Sequence, residues 1–97
     1  MTVWFVSGHA GAHEWAQRRG IAAQMVKHLD PAQVEAGDRV IGTLPVAMAG
    51  EICAKGASYW HLTLALPADA RRKELSADDM DRFGAKIEQF DVRRIEG

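Results

Sequence analysis

Cysteine is almost absent. Cys53 stands alone, so no internal disulfide can form and no second thiol is at hand for a zinc knuckle. This usage suits a reducing compartment, and a cytoplasmic location is the expectation. Long apolar runs are also missing. The stretch nearest the amino end, Val3 to Val6, is far too short to span a bilayer and follows no basic start, so neither an export signal nor a membrane partner is expected. Charge of one sign is not in excess either. Twelve basic against 13 acidic residues leave a formal net charge of −1, which offers no global field to hold a long nucleic acid by counterion release. Any anionic ligand is therefore expected to be small and locally bound. There is no internal repeat, low-complexity tract or linker.

What is present is the balance of one folded domain: 97 residues, 47% hydrophobic and 26% charged. Thr2 to Val6 is β-branched and aromatic and reads as a buried strand that stops at Ser7-Gly8. Ala12 to Arg19 reads as a helix anchored by Trp15 and stopped by Gly20. Gln24 to Leu29 alternates as a second strand before Asp30-Pro31 turns the chain. Arg39 to Ile41 is a third strand, ending at Gly42. Thr43 is then placed to cap a helix carrying Pro45 in its first turn, with Val46, Ala49, Ile52 and Cys53 on one face. Tyr59 to Leu64 is the clearest strand, with Trp60, Leu62 and Leu64 on one face and Tyr59, His61 and Thr63 on the other. Ser76 to Asp79 reads as a capped helix start, and Phe90 to Ile95 as an edge strand. Strands alternating with short helices predict a small α/β, Rossmann-like sheet flanked by helices, with ligands gathering at the carboxyl ends of the strands.

By that logic two loops come to one edge: Ser7-Gly8-His9-Ala10-Gly11 and Gly42-Thr43-Leu44-Pro45. Glycine lets a backbone approach a ligand, helix N-terminal N–H groups carry partial positive charge, and Ser7 and Thr43 offer hydroxyl donors, so together they suit a phosphate. The same residues also suit plain tight turns and helix caps, so the reading rests on the two loops sharing an edge. His9 is the best single candidate for chemistry, as phosphate donor or proton shuttle. His61, mid-strand beside two aromatics, reads as a hydrogen-bonded core residue. His9 and His13 are four apart but lack a third ligand, so no metal and no other cofactor is expected. Arg71, Arg72 and Lys73, within a polar stretch from Pro67, suit a flap closing over an anion. Tyr59 and Trp60 fit either a stacked base or plain core.

Trp4-Phe5-Val6-Ser7, His9, Gly11-Ala12, Glu14-Trp15-Ala16, Val40 to Pro45, Trp60-His61-Leu62 and Glu74-Leu75-Ser76 together form a pattern covering nearly the whole chain. On these residues the chain resembles the small CRISPR-associated family Csx sixteen, found with type III systems. The resemblance implies a CARF-like, Rossmann-type domain acting as a ring nuclease, which binds cyclic tetra-adenylate and opens it to linear adenylates. The implied chemistry is metal-independent: a ribose 2'-hydroxyl attacks the adjacent phosphate and leaves a 2',3'-cyclic phosphate. Ser7, Gly8 and His9 take the catalytic positions. Gly11, Ala12, Gly42, Thr43, Leu44, Pro45 and Arg71 take the binding positions. The four-fold repetition of the ring implies a homodimer. One position departs from the pattern: Gly8 stands where arginine is expected between the serine and the histidine. The missing guanidinium would have been a donor to a pentavalent phosphate. The resemblance therefore implies either slowed cleavage or a non-cleaving binder of the same ring; a third expectation, a protein that docks to a CRISPR effector, carries no nucleotide affinity.

Overall fold

The computed structural model describes residues 1–65 and 74–96. The proposed flap, with Arg71, lies outside the described residues. Strands β1 (Val3–Val6), β2 (Gln24–Val26), β3 (Arg39–Gly42) and β4 (Ser58–Thr63) are parallel, and β5 (Lys86–Phe90) closes one edge antiparallel to β4. Their order across the sheet is β2-β1-β3-β4-β5. The chain therefore leaves β1 toward one side to form β2 and then returns to build β3 on the other. That reversal opens a crevice at the carboxyl ends of β1 and β3, where open α/β sheets bind ligands.

Two layers of helix cover the sheet because its strands alternate apolar residues to both faces. Phe5, Ile41 and Leu62 point to one face and pack with Trp15 and Ala16 of α1 (Ala10–Arg18) and with Ala77 and Met80 of α3 (Ala77–Arg82). Trp4, Val40 and Tyr59 point to the other and pack with Ala49 and Ile52 of α2 (Val46–Ala54), and with Leu29 and Val34. Tyr59 and Leu62 fall on opposite faces, as the alternation in that strand predicts. The result is a single-domain α/β fold compatible with the Rossmann-like expectation.

Local boundaries differ from the sequence reading in instructive places. The first helix begins at Ala10 rather than Ala12, so Gly11 is helical and His9 is the N-cap residue. Gly20 does end that helix, at φ 72. The second strand is short, stopping at Val26. In α2 the N-cap is Pro45, without a side-chain cap, because the Thr43 hydroxyl donates instead to the Leu62 carbonyl at 3.0 Å. Val46 is 75% exposed, so only Ala49 and Ile52 of the expected face are fully buried. The edge strand is Lys86–Phe90, upstream of the expected segment, because Gly84 at φ 69 turns the chain out of α3 early enough for Lys86 to pair with Thr63. The Ser76 cap is as expected: its hydroxyl accepts the Asp79 N–H and the Asp79 carboxylate accepts the Ser76 N–H. Asp81 then clips α3 to α1, accepting from Trp15 Nε1 at 3.0 Å and from Arg19 at 2.9 Å.

At the amino ends of the strands one carboxylate gathers three donors. Asp38, 4% exposed, accepts from the Thr2 N–H at 2.9 Å, the Glu35 N–H at 3.0 Å and Trp4 Nε1 at 3.2 Å. Those hydrogen bonds, led by the Glu35 and Thr2 amides, hold the Asp38 carboxyl below its ordinary value. The unfolded chain lacks them and titrates near about 3.9. The stability this group contributes is therefore complete above that pH and is lost as pH falls through the lower folded value. Asp38→Ala is expected to lower Tm by more than about 5 °C at neutral pH. The gap between variant and parent should narrow below about pH 4 in thermal melts; a pH-independent gap would contradict this assignment.

Candidate functional site

The β1 to α1 turn is shaped by three short interactions. Ser7 continues the ladder by donating its N–H to the Val26 carbonyl at 3.0 Å, and its hydroxyl accepts the His9 N–H at 3.1 Å. His13, one turn into α1, places Nε2 2.7 Å from the Ser7 carbonyl, and its ring meets Phe5 edge to face. Helix α1 then starts with no side-chain cap; the His9 carbonyl accepts the Ala12 and His13 N–H groups at 3.1 and 3.4 Å, which leaves the Ala10 and Gly11 N–H groups at the crevice end of the helix without an intrahelical partner. Gly11 is required here for close packing: a Cβ would lie 1.8 Å from the Leu75 carbonyl oxygen. The segment leading into α3 is thereby seated directly on the start of α1.

The β3 to α2 turn is held from below. Gly42 ends β3 opposite Val6, and a Cβ there would stand 2.6 Å from the Val6 carbonyl oxygen. The buried Tyr59 hydroxyl lies 3.1 Å from the Gly42 carbonyl, to which it donates, and accepts the Leu44 N–H at 3.0 Å. His61 Nδ1 sits 2.6 Å from the same oxygen. Burial raises the Tyr59 phenol above its ordinary value, which keeps the hydroxyl protonated as the turn needs.

Between these turns lies a cavity of about 350 Å3. Ser7, Gly8, His9 and Thr43 form its polar rim, and Leu62, Leu64, Leu75 and Met80 its apolar walls. A second hollow of about 370 Å3 lies on the other side of the β1 loop and shares Ser7, Gly8 and His9 with the first, adding His13, Lys27 and Glu74. His9 Nδ1 and Glu74 Oε2 are 3.3 Å apart, both side chains more than half exposed. An apolar wall beside a polar rim fits a ligand with an aromatic or aliphatic body and a charged group.

The predicted residues divide accordingly. Ser7, Gly8, His9, Ala12 and Thr43 line the cavity. Gly11 and Gly42 lie buried beneath it and set its shape, whereas Leu44 lines a separate apolar hollow of about 310 Å3 on the α2 face, with Tyr59, His61 and Phe90. Pro45 is exposed at the start of α2. Thr43 is corrected as a hydroxyl donor: its proton is committed to Leu62, so it offers a ligand lone pairs rather than a hydrogen. His61 is half-buried and hydrogen-bonded, as the sequence suggested. His13, Glu74 and the Tyr59 hydroxyl were missed as parts of the site. The four-residue spacing of His9 and His13 was the available signal for one of them. Among the described residues no cluster of three or more metal-ligating side chains occurs, and no helix is long and apolar enough to cross a membrane.

A family model described as "Putative CRISPR-associated protein (Cas_VVA1548)" matches residues 4–93. The chain belongs to that family. The match spans every strand and helix except the first residue of β1, and so includes both turns of the cavity. No curated protein and no solved structure matches the chain. CRISPR association is thus the level at which the family speaks, and the cavity is where its chemistry would be sought. Because Tyr59 ties the second turn, Tyr59→Phe leaves the Leu44 N–H without its acceptor and is expected to cost about 1–3 kcal/mol in urea unfolding. Amide exchange at Leu44 should accelerate selectively; protection equal to the parent's would show that the hydroxyl does not hold the turn.

Proposed function

We propose that this CRISPR-associated protein is a ring nuclease of type III systems, acting in the cytoplasm on cyclic tetra-adenylate. The observation that carries the reading is the meeting of Ser7, His9 and Thr43 at one cavity at the point where the strand order reverses. The resemblance through Ser7, His9, Gly11 and the Gly42 to Pro45 block supplies the substrate. The attacking group belongs to the substrate: a ribose 2'-oxygen bonds to the adjacent phosphorus, and the bond from phosphorus to the 5'-oxygen breaks. The protein has to hold that geometry and stabilise charge on the phosphate. The opening amides of α1 and the Ser7 hydroxyl form the donor set suited to this, the His9 ring beside them serves as phosphate donor or proton shuttle, and the apolar wall of Leu62, Leu75 and Met80 suits an adenine. No metal is required by this chemistry. A two-fold homodimer would present two such cavities to a ring of four identical nucleotides.

Gly8 favours a second reading, a protein that captures the ring without cleaving it. Its place at the rim offers no cation to the phosphate, and capture alone lowers free messenger by mass action. A Cβ at Gly8 would meet no heavy atom within 4 Å, so a side chain can start there without displacing a neighbour.

Chromatography of labelled cyclic tetra-adenylate in EDTA separates the two. Conversion to linear adenylates is expected, and Gly8→Arg should raise the rate by at least about tenfold. His9→Ala should slow it about a hundredfold while binding persists. Intact ring after long incubation with both parent and Gly8→Arg would eliminate the enzyme reading, and tight stoichiometric retention in that case would establish the binder.

A further inference from the structure

Beside the His9 ring the rim of the cavity holds a carboxylate, Glu74, that the mechanism above leaves unused. His9 Nδ1 lies 3.3 Å from Glu74 Oε2, within ion-pair distance. Glu74 is carried by the strap that Gly11 seats on the start of α1, since a Cβ at Gly11 would collide with the Leu75 backbone. The carboxylate and the imidazole therefore come from segments 65 residues apart and are brought together by that close approach, not by chain neighbourhood.

We propose that Glu74 is the positioning residue for His9, its carboxylate accepting the Nδ1 proton so that the neutral ring is held in the tautomer whose Nε2 lone pair serves as the proton acceptor. A carboxylate beside one ring nitrogen fixes which nitrogen carries the proton and so assigns the other nitrogen its role. The inference deepens the ring-opening reading and takes its substrate from it. His9 then removes the 2'-hydroxyl proton as the 2'-oxygen bonds to phosphorus, and the departing 5'-oxygen takes its proton from water. Ser7 and the α1 amides remain the donors to the phosphate, which relieves His9 of that duty.

The test has two arms. In ligand-free protein at alkaline pH, nitrogen-15 correlation spectra, with His9→Ala to assign the ring signals, report the tautomer directly. The parent is expected to favour the Nδ1–H form. Glu74→Ala should shift the ratio toward Nε2–H by about threefold, the scale of an exposed pair, whereas Glu74→Gln, which keeps an oxygen acceptor, should restore it. Ring opening by Glu74→Ala should show a lower kcat at unchanged KM. An unchanged tautomer ratio in Glu74→Ala, or no rescue by Glu74→Gln, overturns the inference. A parent inert toward the ring refutes the nuclease reading instead, and the spectra still decide the pairing.

Discussion

Everything at the candidate site follows from how closely β1 and β3 run at their carboxyl ends. Val6 pairs with Gly42, and the space between them admits no Cβ: the Val6 carbonyl oxygen would stand 2.6 Å away. Beyond that pair the following segments part, one toward α1 on one face of the sheet, the other toward α2 on the opposite face. The cavity is the gap that this divergence leaves. Its polar rim is composed of whatever residues the two turns begin with, and its walls are the tops of the same apolar positions that form the core. Site and fold are thus one arrangement, and the ligand-facing surface has the rigidity of the sheet beneath it.

Each turn is held by a partner from another part of the chain. His13 reaches back to the Ser7 carbonyl, Tyr59 reaches across from β4 to the Gly42 carbonyl and Leu44 amide, and the Thr43 hydroxyl reaches to Leu62. None of these side chains presents a reactive group at the rim through the bond it makes. They spend their polar atoms on backbone, which is how a loop acquires a fixed shape without secondary structure of its own. Among the described residues the chemistry left to the rim is small: the Ser7 proton, the Ala10 and Gly11 amides that open α1, and the His9 ring with Glu74 beside it.

The strands and their faces were legible because alternation is a strong signal: Tyr59 and Leu62 could be assigned to opposite faces from their spacing alone. The shared edge was legible too, since parallel strands joined by helices must send their carboxyl ends the same way. Pairing partners were not. That Lys86–Phe90 rather than the segment from Phe90 to Ile95 forms the edge strand depends on Gly84 releasing the chain from α3, a boundary too local for periodicity to fix. Thr43 was misjudged because a hydroxyl before a proline-led helix has the pattern of a cap, yet the nearer acceptor lay on a strand 19 residues away. Glu74 was invisible as a partner of His9, because only the packing of Leu75 against Gly11 brings it there.

Asp38 gathers the Thr2, Trp4 and Glu35 donors at the amino ends of the strands, at the far pole of the sheet from the cavity. Anchoring and recognition are therefore physically segregated. A lineage built on this plan can exchange residues in its two rim turns, and so alter what it recognises, while the polar knot that secures the sheet stays untouched; novelty at one pole need not be repaid in foldedness at the other.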